Sequence, residues 1–154
     1  MRSVPLVTVT SEAEVVSEAE AEDYIFGYSC GNDVTNRPVI SVDQQWARGK
    51  SFDTFAPIGP FIETDYDPRG KRIVSRYDGE IMQDGNTDDM VFGIPYLVSY
   101  ISRHMTLLPG TVIMTGTPVG VGFWREPRVE LLPGGVCEVE IEGLGCLSNK
   151  VVGK

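Results

Sequence analysis

A chain of 154 residues, 42% hydrophobic and 23% charged, has enough material for one domain with a buried core. Its net charge of −9 argues against nucleic acid as a partner, because phosphate binding needs clustered Lys and Arg. No apolar run approaches the ~20 residues of a membrane-spanning helix, so no membrane partner is expected.

The three cysteines, Cys30, Cys137 and Cys146, include no CxxC pair. This argues against a disulfide framework or a zinc site and points to a reducing, cytoplasmic setting. Met1–Pro5 has none of a signal peptide's long apolar region. Seventeen Gly and ten Pro favour many short elements and a β-rich fold. The acidic balance would repel an acidic substrate, so any site for one requires a local cation.

Residues 4–9 predict a short strand, placed at a sheet edge because of Pro5. Ser17 and Glu20 fit a capping box opening a helix over about 18–25 that ends near Gly27. Tyr24, Ile25, Phe26 and Tyr28 then lead into the interior. Residues 32–50 are expected to be extended and turn-rich, with Pro38 barring a helix.

Pro57, Gly59 and Pro60 suggest an interrupted strand over 55–63. The segment 65–70 is a polar connection to a strand over 72–77. Asp78-Gly79 is a tight-turn signal with a returning strand over 80–83. Thr87 is read as the cap of the next helix, with Asp88 and Asp89 near its positive end. Leu97, Val98 and Ile101 recur at helical spacing, and Pro95 is tolerated in a first turn. Residues 111–114 read as a buried strand leading into a Gly-rich segment, 115–122. Strands over 136–141 and 147–152 complete a single β-rich α+β domain spanning 1–154.

Asp33 follows a buried-looking run, where a rigid carboxylate could serve magnesium or manganese. Spacing alone favours a turn cap or a pair with Arg37 instead. Lys50 could stabilise an enolate or oxyanion. It could equally be a solvated surface lysine, though Trp46, Phe52 and Phe55 make partial burial plausible. Thr115–Gly122 offers hydroxyls and close backbone approach, but its glycine spacing matches neither a phosphate loop nor a dinucleotide fingerprint. His104, the one histidine, reads as a cap or surface residue near a helix end. Cys30 reads as a core thiol.

The combined pattern resembles the fumarylacetoacetate hydrolase family. It is carried by Asp23–Tyr28, Asn32-Asp33-Val34-Thr35, Gln45-Trp46 and Lys50–Phe55. Further matches are Pro57–Pro60, Gln83–Thr87, Leu107–Gly110, Thr115–Pro118, Gly120–Gly122 and Ile141–Gly145. The resemblance implies a mixed β-sandwich roll, generally dimeric, that acts on C–C bonds of acylpyruvates or related dicarbonyl acids. Some members decarboxylate or isomerise such acids instead.

By the same resemblance Asp33 is a metal ligand, and Lys50 and Thr117 are catalytic. Arg37, Thr54 and Gly116 would contact substrate. The implied ion is Mg²⁺ or Mn²⁺, with weak binding expected. The family's upstream Glu-x-Glu ligand pair and His–Glu pair have no clear counterparts; Glu12 and Glu14 have the right letters in an acidic stretch. The chain therefore reads as truncated at its N-terminus relative to the family. It is expected to be a homodimer, or to pair with a full-length relative.

Overall fold

The computed structural model describes residues 3–153. Met1 and Arg2, part of the start read above for a signal peptide, lie outside them, as does Lys154. The strands are β1 (Ser3–Val9), β2 (Ile25–Asn32), β3 (Ile58–Glu63) and β4 (Arg72–Tyr77), then β5 (Glu80–Asn86), β6 (Val112–Met114), β7 (Val136–Ile141) and β8 (Gly145–Lys150). The helices are α1 (Arg37–Asp43), α2 (Ala47–Lys50) and α3 (Ile94–Ser102). Two four-stranded sheets form, ordered β3-β2-β1-β6 and β5-β4-β7-β8, with every pairing antiparallel. This is the β-rich α+β architecture expected.

The sheets close over a shared core. Val7, Val9, Tyr28 and Cys30 from the first meet Ile73, Val139, Ile141 and Leu147 from the second, and Ile94 and Val98 of α3 join them. The alternating burial of β7 shows one face in the core and one turned outward.

Four sequence expectations need correction. β1 is central, lying between β2 and β6, and all seven of its residues are buried. Pro5 is accommodated because its carbonyl accepts from the Thr115 N–H at 3.2 Å, just past the three-residue ladder with β6. The missing N–H of Pro5 therefore falls on the side where pairing is ending.

The helix over 18–25 is replaced by turns and a single 3₁₀ turn at Ala21–Tyr24. The Ser17 hydroxyl does donate to Glu20 at 2.5 Å. The chain is nevertheless drawn into β2 from Ile25, because ladder pairing and burial outweigh local helix preference. Pro38 starts α1 rather than barring it: it sits in the first turn, where no N–H is needed, and the Asn36 side chain caps the Val39 N–H at 3.2 Å. Thr87 is not a helix cap. Asn86 and Asp89 form a reciprocal capping box around a 3₁₀ turn, and α3 starts separately at Ile94.

One buried side chain ties the sheets and a loop together. The Gln83 Oε1 accepts from the Ser3 N–H (3.0 Å), the Ser3 hydroxyl (3.2 Å) and the Ser75 hydroxyl (3.1 Å). Its Nε2 donates to the Thr117 hydroxyl (2.9 Å) and the Pro118 carbonyl (2.7 Å). Gln83→Leu leaves these buried partners unmatched, so urea denaturation is expected to show a loss of about 2–4 kcal/mol.

Burial raises the Cys30 thiol from 9.0 to about 11. The folded chain thus retains a proton that the unfolded chain releases. Stability from this group is intact below pH 9.0 and is lost as pH rises toward about 11. Urea midpoints taken across that interval should fall in the parent and fall less steeply in Cys30→Ala.

Candidate active site

β2 carries the chain through the core and releases it at Asn32 and Asp33, both buried. Two short helices follow. The Asn36 N–H donates to the Gly49 carbonyl at 2.8 Å, drawing α1 and α2 together. A Cβ at Gly49 would lie 2.4 Å from an Ile40 carbon, so only glycine permits this approach. The fold thereby turns Lys50 back onto Asp33: its ammonium forms an ion pair with the Asp33 carboxylate. The alternative in which Lys50 is simply solvated is overturned, since its side chain is only 26% exposed.

The cations gather around aromatic rings. The Lys50 ammonium lies 5.3 Å from the Trp46 ring centre, and the Arg37 guanidinium 5.7 Å from the same ring. Arg37 also lies 5.0 Å from the centre of Phe123, and Arg128 approaches that ring at 4.5 Å. Neither Phe123 nor Arg128 was signalled by sequence pattern; they sit downstream of the Gly-rich segment, and only folding brings them to Arg37. Phe52 and Phe55 pair with each other, with ring centres 5.4 Å apart.

The remaining predicted residues fall elsewhere. Thr117 receives the Gln83 amide, and with Gly116 it lines a cavity of about 250 Å³ walled by Met90, Phe92 and Leu97. Gly116 has a φ of +119° and open space where a Cβ would stand. The two groups are joined indirectly: Ser3, which binds Gln83, is paired in the ladder with Asn32, next to Asp33. Thr54 is exposed, in the turn closed by Phe55 N–H to the Phe52 carbonyl, with a φ of +70°. It lines neither this cavity nor the larger one described below.

His104 is engaged by its own helix, its Nδ1 lying 2.8 Å from the Tyr100 carbonyl oxygen. Its ring continues a stack formed by Phe92, Tyr96 and Tyr100. Cys30 is a core thiol, with its Sγ 3.6 Å from the Gly145 carbonyl.

Glu12 and Glu14 are exposed on either side of Ala13, which bridges to Leu107. Among the described residues no three His, Cys, Asp or Glu side chains group as metal donors. Magnesium and manganese require about six oxygen ligands, and Asp33 is already engaged by Lys50. The donor set of the described residues does not fit such an ion.

The family model for the fumarylacetoacetate hydrolase C-terminal region matches residues 6–152. The chain belongs to the fumarylacetoacetate hydrolase family. An Archaeoglobus fulgidus protein is 46% identical over 146 residues, covering 95% of this chain and 56% of that protein. The mitochondrial oxaloacetate tautomerase FAHD2A of Bos taurus is 39% identical over 151 residues, covering 95% and 48%. The crystal structure of a 5-carboxymethyl-2-hydroxymuconate delta-isomerase from Mycobacterium smegmatis superposes with a TM-score of 0.91 at 39% identity, over 99% of this chain and 59% of that one. The chain thus spans about half the length of the curated relatives it matches. Among the described residues no helix is long and apolar enough to cross a membrane.

Titration of Mn²⁺ into the 154-residue chain by isothermal calorimetry is expected to show no stoichiometric micromolar binding. A tight one-to-one isotherm would mean that Asp33 recruits donors the fold keeps apart.

Proposed function

We propose that this chain carries the enolate-stabilising part of an enzyme acting on 2-oxo acids, and that its reaction is tautomerisation or isomerisation of an oxaloacetate-like dicarboxylate. The observation that carries this reading is the Asp33–Lys50 pair, whose ammonium is fixed by a buried carboxylate and flanked by Trp46. In the proposed step the C2 oxygen of the substrate accepts a hydrogen bond from Lys50. Negative charge then grows on that oxygen as a C3 proton passes to water, the fixed ammonium stabilises it, and return of a proton from water to the oxygen gives the enol; the reverse sequence gives the keto form. Asp33 positions the ammonium. Arg37 is the substrate-carboxylate partner, and Arg128, on the same Phe123 ring, supplies a second cation near it. Thr117 and Gly116, which line a separate cavity, are given no part in this step, and Thr54 remains a contact made only once substrate is bound.

Proton transfer at carbon is favoured over C–C hydrolysis for a chemical reason. Both reactions use a stabilised enolate, but hydrolysis also needs a group to activate water. The single histidine of the chain is committed to Tyr100. The names of the bovine tautomerase and the mycobacterial isomerase agree with the simpler reaction. The setting is read as cytoplasmic from the free thiols Cys30, Cys137 and Cys146.

A second reading, a non-catalytic subunit pairing with a longer relative or a second copy, is supported by two features. One is the incomplete metal donor set. The other is the edge strand β3, which exposes Ile58, Phe61 and Ile62.

The test follows the ultraviolet absorbance of enol-oxaloacetate as it converts to the keto form. The parent chain is expected to accelerate the conversion, and Lys50→Met to lower kcat/KM by about 100-fold. An equal rate in Lys50→Met would remove Lys50 from the chemistry. No acceleration by the parent would favour the subunit reading, which co-purification with a longer relative would then support.

A further inference from the structure

A second cavity, of about 640 Å³, lies between the loop Thr64–Arg69, the start of α3 and Tyr28 of β2. Its size falls within the range of small-molecule sites. None of Asp33, Lys50 and Arg37 lines it; Thr87 and Met90 form a wall shared with the smaller cavity.

Two tyrosines form part of its wall, with ring centres 5.6 Å apart and tilted by 53°. They differ in one respect. The Tyr66 hydroxyl donates to the Glu142 carbonyl at 2.6 Å. Tyr28 is only 8% exposed, yet among the described residues its hydroxyl has no hydrogen-bond partner. The oxygen itself is not sealed in the core, so it is the part of this otherwise buried side chain that is open to a ligand in the cavity. Burial, then Glu22 and Asp67, push the Tyr28 hydroxyl up to about 12, so at neutral pH it is uncharged and able to accept as well as donate.

The charges around the cavity are unbalanced. Glu22, Asp65, Asp67 and Asp88 line it against a single lining cation, Arg69. That guanidinium is already spent on Asp67, in a two-pronged contact at 2.7 and 3.0 Å. Asp88 accepts from the Gly70 N–H. Glu22 and Asp65 make no ion pair at contact distance among the described residues. Behind Tyr66 lies Lys71, 5.6 Å from the ring. Ile25, Met90 and Ile94 supply apolar wall.

We propose that this cavity is a second ligand site, for a small organic cation: an ammonium or guanidinium group on an apolar or aromatic stem. The cationic head takes the Tyr28 hydroxyl and the Glu22 and Asp65 carboxylates as acceptors, and the stem packs against the tyrosine rings and the apolar wall. The same charges reject a carboxylate, so the site is not a second oxo-acid pocket. The proposal stands independently of the reaction assigned to Lys50.

The test titrates the full chain at neutral pH with benzylamine, benzyl alcohol and phenylacetate, followed by ¹⁵N–¹H NMR. Benzylamine is expected to give saturable shifts centred on Tyr66–Arg69 and Gly93–Ile94 and to bind at least about fivefold more tightly than benzyl alcohol. Phenylacetate is expected to give none. Tyr28→Phe and Glu22→Gln should each weaken benzylamine by about threefold or more. Glu22 is exposed, so its variant keeps the test open if Tyr28→Phe does not fold. Equal binding of the alcohol, shifts centred on the Phe92–Tyr100 face, no saturable shift, or unchanged affinity in a folded variant would each overturn the proposal.

Discussion

The side-chain amide of Gln83 is the constraint on which the arrangement of this domain depends. It is buried at the point where the first strand of one sheet, a hairpin of the other and the Gly-rich segment all meet. Its oxygen takes three donors and its nitrogen serves two acceptors. An apolar residue here could fill space but could not fix three segments in register at once. A buried polar group left unmatched costs more than a matched one contributes, so the network specifies one packing.

The candidate site inherits its rigidity from that junction. Ser3, held by Gln83, pairs with Asn32, and Asp33 is the next residue. Thr117 is held by the same amide. A carboxylate at the end of a buried strand is placed by the core, and the ammonium is brought to it by α2, which the Asn36–Gly49 hydrogen bond holds against α1. The chain carries a net charge of −9, which at long range disfavours an acidic substrate. Lys50, Arg37 and Arg128 offset that locally by clustering on the Trp46 and Phe123 rings. The second cavity has the opposite character, with carboxylates at its rim and a tyrosine hydroxyl in its wall. One acidic domain thus presents two regions of opposite local charge.

Much of the strand content was legible because strands leave local marks. The alternation in β7, the Asp78-Gly79 turn and the apolar run into β2 all correspond to observed elements. Prolines misled twice for one reason. Pro5 and Pro38 were judged by the hydrogen bond proline cannot make, whereas each occupies a place where none is required. The predicted helix at 18–25 stops at a single 3₁₀ turn because Ile25 at its end is already paired with Val9 of β1, which no local window reports.

The sequence by itself determined the family, the β-rich class and the candidacy of Asp33 and Lys50, because these depend on which residues occur in which order. Tertiary structure alone decided that β1 is central, that Lys50 is ion-paired with Asp33, and that Glu12 and Glu14 are exposed beside Ala13. It also decided that Phe123 and Arg128 close on Arg37 from far along the chain. The physical reason is that burial, pairing and ionic contact depend on distance in space, and pairs such as Asp33 and Lys50 or Arg37 and Phe123 become neighbours only when the chain has folded.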